Sequence, residues 1–104
     1  MSDIEETINR IKTHKSVQGI VICNNDGQII RSTYGTESKE GENIARTIPT
    51  LAAKAKSTVR DLDPNNELTF LRIKSKNNEI MVAPDKEFLL IVVQGPKEEK
   101  KEEE

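Results

Sequence analysis

The sequence is poor in the residues from which most sites are built. It has one cysteine, one histidine, no tryptophan, two phenylalanines and one tyrosine among 104 residues. With a single cysteine, Cys23, there is no intrachain disulfide. With a single imidazole, His14, any Ser-His-Asp or Cys-His arrangement would have to use a residue at the end of a short polar helix beside Lys15. Nothing in the sequence aligns it with Cys23 or a serine, so His14 reads as an exposed helix-end residue and Cys23 as a small core residue. Three aromatics, none interleaved with the basic cluster of Arg72, Lys74 and Lys76, argue against a single-strand nucleic-acid platform. No apolar run approaches the roughly 20 residues that span a bilayer. No apolar leader opens the sequence, and the expectation is a soluble cytosolic protein with a reduced thiol. Neither GxxxxGK[ST] nor GxGxxG occurs, so no nucleotide loop is expected. Sixteen basic and 18 acidic residues leave a formal charge of −2, with no general field for nucleic acid or anionic membrane. The expectation is a protein without enzyme activity, metal, cofactor or small-molecule substrate.

What is present is patterned. Ser2 and Glu5 have the spacing of a capping box, and Ile4, Ile8 and Ile11 follow on one stripe, which predicts a helix over about 3–13. Glu6 and Arg10 add an i,i+4 pair on its exposed side. Two apolar stretches, 17–23 and 28–33, flank Asn24-Asn25-Asp26-Gly27, where an Asp-Gly pair marks a tight antiparallel hairpin. Gly19 inside the first strand points to a bulge or to a close approach against the backbone.

Ile44, Ile48, Leu51, Ala55, Val59 and Leu62 recur at three and four residues, predicting the main helix. Pro49 interrupts it, so the helix either begins near Thr47 or starts near Ser38 and bends at the proline. The spacing already holds at Ile44, which favours the earlier start. After Asp63-Pro64-Asn65-Asn66, three strands over 68–75, 79–83 and 88–93 are joined by Asn77-Asn78 and Asp85-Lys86 turns, and Pro84 ends the second of them. Residues 1–96 then form one domain. The tail at 97–104, KEEKKEEE, has nothing apolar to bury and is expected to be disordered.

Two local patterns invite a site. Asp61, Asp63 and Asn65 imitate the first ligands of a calcium loop, but Asn66 stands where glycine is needed and Arg72 where a bidentate glutamate closes the cage. A helix-ending Asx turn accounts for them. Arg72, Lys74 and Lys76 surround Ser75, reading mainly as a solvated edge, with Ser75 a candidate phosphorylation site.

Longer strings carry more. Val59-Arg60-Asp61-Leu62-Asp63-Pro64, Leu68-Thr69-Phe70-Leu71-Arg72-Ile73, Glu79-Ile80-Met81-Val82-Ala83-Pro84-Asp85-Lys86 and the apolar run 89–94 resemble the roadblock-type dynein light chains. Glu5-Glu6-Thr7, Val17-Gln18-Gly19-Ile20 and Ser32-Thr33 agree with them, and only 35–50 and the tail depart. The resemblance covers roughly 3–96. It implies an α+β, roadblock/profilin-like fold: five antiparallel strands in the order 2-1-5-4-3, connected α-β-β-α-β-β-β, with both helices on one face. It also implies a homodimer whose seam is the third strand and the second helix, which puts Leu51, Ala55, Val59, Thr69, Leu71 and Ile73 at the interface. The implied partner is the dynein intermediate chain. The implied place is a microtubule-associated dynein complex in the cytoplasm, cilium or flagellum. A second expectation from related domains is a scaffold or regulator of a small GTPase.

Overall fold

The computed structural model describes residues 2–35 and 38–95, with side chains in the first helix described from residue 5 onward. The expected Ser2 cap, the Ile4 side chain and the tail at 97–104 lie outside this described part. The elements are α1 (Ser2–Lys12), β1 (Val17–Asn24), β2 (Ile29–Ser32), α2 (Lys39–Leu62), β3 (Leu71–Lys74), β4 (Glu79–Pro84) and β5 (Phe88–Gln94). The strands form one antiparallel sheet in the order β2-β1-β5-β4-β3. This is the architecture that the resemblance implied.

The helices differ from expectation in one respect: they lie on opposite faces of the sheet, not on one. The reason is in β1 and β5, whose apolar residues occupy both parities and therefore need cover on both sides. Their register pairs Val21 with Ile91 and Cys23 with Leu89. These four share a face with Val82, and Ala45, Ile48 and Ala52 of α2 close over it. Ile20, Ile22 and Val92 turn the other way and are covered by Ile8 of α1, with Ile11 at the margin.

Local chemistry fixes how α2 reaches its face. Ser38 caps the helix by accepting a hydrogen bond from the Glu40 N–H at 3.2 Å, so the helix begins at the earlier of the two expected starts and contains Pro49. Proline cannot donate to the Ala45 carbonyl one turn back. Gly27, at the β1–β2 turn with φ +89°, packs against that carbonyl, and a Cβ there would stand 2.9 Å from the oxygen. The turn is held by Asn24, whose Oδ1 accepts from the N–H groups of Asp26 and Gln28, both at 2.9 Å. At the other end of β1 the register shifts between Val17 and Gly19, as the glycine suggested. The ring of Tyr34 occupies the space a Gly19 side chain would need and also lies against Gly41 of α2. Burial, reinforced by the Glu40 carboxylate, raises the Tyr34 phenol above its ordinary pKa.

The strand expected over 68–75 is shorter. Only Leu71–Lys74 pair with β4, from Leu71 opposite Val82 to Lys74 opposite Glu79. Continuing the register would set Phe70 against Ala83 and Thr69 against Pro84, where the missing N–H ends the ladder.

Candidate functional site

β3 is an edge of the sheet, with β4 on one side and, among the described residues, no strand on the other. An edge presents a row of N–H and C=O groups that another chain can pair with. The pleat sends Leu71 and Ile73 to the α2 face, both half-buried, and Leu71 packs against the core beneath α2. Arg72 and Lys74 point to the α1 face and are exposed. Arg72 is ion-paired with Glu79 of β4, and that hydrogen bond and charge raise the guanidinium pKa.

On the same face as Leu71 and Ile73, α2 changes character along its length. Its buried residues are Gly41, Ala45, Ile48, Pro49 and Ala52, with none after Ala52. The expected apolar stripe therefore splits. Ile48 is buried, whereas Ile44, Ala55 and Val59 are half-buried, Leu51 is 44% exposed and Leu62 is 82% exposed. The sheet instead takes the small residues Gly41, Ala45 and Ala52, which let the helix lie close. Of the six residues expected at a seam, Leu51 and Thr69 are exposed and Ala55, Val59, Leu71 and Ile73 half-buried, so each keeps surface available to a partner. Phe70, 50% exposed just before β3, and Leu62 add apolar surface that the sequence had assigned elsewhere. Their signal was position: Leu62 is the last residue of α2 and Phe70 stands just before β3.

Of the remaining candidates, only Ser75 adjoins this edge. Exposed His14 lies in the α1–β1 connection, where its N–H donates to the Ile11 carbonyl at 3.0 Å. Cys23 is buried near the other end of β1, about 20 Å along the strand. Burial raises its thiol pKa, so it is a core group and not a nucleophile. Asp63 ends α2 as an Asx turn, its Oδ1 accepting from the Asn65 N–H at 3.1 Å. Ser75 is exposed on the β3–β4 turn, with its Oγ 3.0 Å from the backbone and side-chain oxygens of Asn78. On the α1 face an open groove of about 390 Å³ is lined by Thr7, Ile22, Ala83, Pro84, Asp85, Phe88 and Leu90. At the second sheet edge Ile29 and Ile30 are partly exposed, while Arg31 is ion-paired with Glu5 of α1.

Among solved structures, the fold is similar to a Roadblock/LC7 domain from Streptomyces avermitilis, with a TM-score of 0.68 at 14% identity over 77% of this chain and 67% of that one. It is also similar to MglB of Myxococcus xanthus, with a TM-score of 0.63 at 16% identity over 76% and 64% of the two chains. The gliding protein MglB of Thermus thermophilus gives 0.64 at 11% identity over 76% and 61%. A further MglB structure, described as having a tetrameric arrangement, gives 0.65 at 11% identity over 76% and 60%. This chain thus spans about 60 to 67% of the length of the structures it resembles. At these identities the likeness is one of fold. The sequence itself carries the assignment: the Roadblock/LC7 domain model matches residues 3–95, and the chain belongs to that family.

Proposed function

We propose that this chain is a non-catalytic light chain of the dynein motor complex, acting as a homodimer that binds a segment of the dynein intermediate chain. The family is in general one of scaffolds and regulators. The observation that carries the reading is the β3 edge, unpaired among the described residues, with Leu51 and Leu62 exposed on α2 and Phe70 exposed just before the strand. Pairing two such edges about a two-fold axis would continue the sheet and cover these side chains against their counterparts. Val59, Thr69, Leu71 and Ile73, with Leu51 and Ala55 on α2, are the residues proposed for that seam. A dimer presents two equivalent surfaces, so it holds paired intermediate chains together and orders segments that are flexible alone. The dynein assignment rests on the long strings at 59–64, 68–73, 79–86 and 89–94, and with it goes a microtubule-associated location in cytoplasm, cilium or flagellum. A phosphate on Ser75 would add about two negative charges beside the seam. Ser75→Glu is expected to weaken self-association.

The fold likeness to the gliding protein MglB favours a second reading, a roadblock-domain scaffold or regulator of a small GTPase. Affinity purification of the tagged chain from its own cells separates the two, with Leu71→Asp as the seam control. Dynein intermediate and heavy chains recovered with the native chain and lost in the variant support the first reading. A small GTPase recovered without dynein supports the second.

A further inference from the structure

The α1 face of the sheet is covered over only part of its width. Directly opposed residues share a face, so Ile22, Leu90 and Ala83 form a row across β1, β5 and β4, and Ile20, Val92 and Met81 form the next. Ile8 of α1 closes over the β1 end of both rows, where Ile20 and Ile22 are buried. Toward β4, Leu90, Ala83 and Met81 stay half-buried, although β5 and β4 are interior strands. The groove of about 390 Å³ lies here, with Thr7 of α1 as its wall, Ile22, Leu90 and Ala83 as its floor, and Pro84, Asp85 and Phe88 beside them.

Backbone hydrogen bonding decides what kind of segment fits. β5 and β4 each have a strand on both sides, so their N–H and C=O groups are directed into the ladders. A segment laid on this face gains no main-chain partner from the floor and has to satisfy its own groups, which a helix does and an extended peptide does not. The spacing also suits a helix. Strands stand about 4.8 Å apart, which puts β4 about 10 Å from β1, the separation at which one helix packs beside another. The six residues of β4 span about 20 Å, the length of a helix of about 13 residues. No described element supplies this helix, because Ile8 and Ile11 of α1 pack on β1 and β5 and α2 lies on the opposite face. The sequence after Pro96, KEEKKEEE, has no apolar side chain to place on Leu90 and Phe88. Among the residues that line the groove, the charged one is Asp85. Its Oδ1 accepts from the Lys86 N–H at 2.8 Å, its own N–H donates to the Phe88 carbonyl at 2.8 Å, and it has no ion pair among the described residues. A fixed carboxylate at the end of an apolar groove calls for a basic group on the occupant.

We propose that this groove receives an amphipathic helix of a partner protein, about 13 residues long, with its apolar stripe on Leu90, Ala83 and Phe88 and a basic side chain at Asp85. The site is on the face opposite Leu51 and Ala55 of α2, so the groove and the proposed seam can be occupied together. It holds for either reading of the partner given above.

The test selects a displayed library of peptides of about 16 residues on the native chain. Enriched sequences are expected to carry apolar residues at i, i+3, i+4 and i+7 with lysine or arginine near one end, and to gain helical circular dichroism on binding. Titrated into the labelled chain, such a peptide should move amides at 6–8, 22 and 83–90. Ala83→Arg, which fills the groove, should weaken binding at least about tenfold. Asp85→Lys, at an exposed position outside the core, should weaken it about threefold at low salt and hardly at all at about 0.5 M. Leu51→Asp should bind the peptide as the native chain does, whatever happens to self-association, so a failure at the groove is told apart from a failure at the seam. A selection that enriches no peptide would overturn the proposal. So would peptides that move amides at 71–74 in place of 83–90, or that bind Ala83→Arg and Asp85→Lys as tightly as the native chain. Self-association weakened by Asp85→Lys would also overturn it, since a second copy would then occupy the groove.

Discussion

The two halves of α2 are built from similar residues and end in different places. The first half, from Lys39 to Ala52, places Gly41, Ala45, Ile48, Pro49 and Ala52 against the sheet. The second half runs on to Leu62 with no buried residue and leaves that leucine 82% exposed. One half finishes its packing against the sheet, whereas the other carries apolar surface that the described residues do not cover. Burial thus falls away along an unbroken apolar stripe, from Ile48 through half-buried Ala55 and Val59 to Leu62.

The largest effect should come from Ile48→Ala, which opens a cavity beneath the first half and is expected to cost about 3 kcal/mol in urea unfolding. Leu62→Ala should cost less than about 0.5 kcal/mol in the same assay at concentrations where the chain is monomeric. Equal losses at the two sites would erase the contrast.

Next in size is Gly27→Ala, at the turn packed against the first half. A side chain there meets both a left-handed φ and the Ala45 carbonyl, and the expected loss is about 2 kcal/mol. An unchanged midpoint would mean that the turn and helix do not depend on this close approach.

The proposed seam answers to a different assay. Leu51→Asp and Leu71→Asp should each weaken self-association at least about tenfold in sedimentation equilibrium, equivalent to about 1.4 kcal/mol. The unfolding midpoint of monomeric Leu51→Asp should move little, whereas that of Leu71→Asp should fall as well, because Leu71 packs against the core. Native chain that sediments only as monomer at micromolar concentration would remove the interface from the comparison.

The smallest effect concerns Cys23, in the core under the first half. Its folded pKa is raised above the ordinary 9.0 by burial, so the unfolded chain gives up this proton first as pH rises. The group's contribution to stability is fully present below pH 9.0 and declines as pH rises through the higher folded value. A Cys23→Ala chain should have a flatter stability profile in that alkaline range. A native profile just as flat would contradict a buried thiol.

Much of this fold was legible in the residues. Gly27 and Pro84 marked a turn and a strand end because their backbone limits act locally. The β1 and β5 runs announced two covered faces by carrying apolar residues at both parities. The resemblance supplied the strand order but led to both helices being placed on one face, against that parity. The extent of β3 was not legible from 68–75 alone, because the strand stops where its neighbour reaches Pro84. The α2 stripe was read from its large residues, while the sheet selects the small ones. Leu62 and Phe70 were missed as surface because hydrophobicity records a preference for burial and not whether the chain meets it.

The sequence by itself determined the elements, their turns, the absence of a paired acid, base or nucleophile pattern around its one histidine and one cysteine, and membership of the roadblock family. These follow from periodicity, backbone restrictions and residue identity, which act over a few positions or are carried whole in the motif. Only the tertiary structure decided which face each helix takes and which residues of α2 are core. Those outcomes depend on pairing between strands far apart in the chain, and no local pattern specifies which distant residues become neighbours.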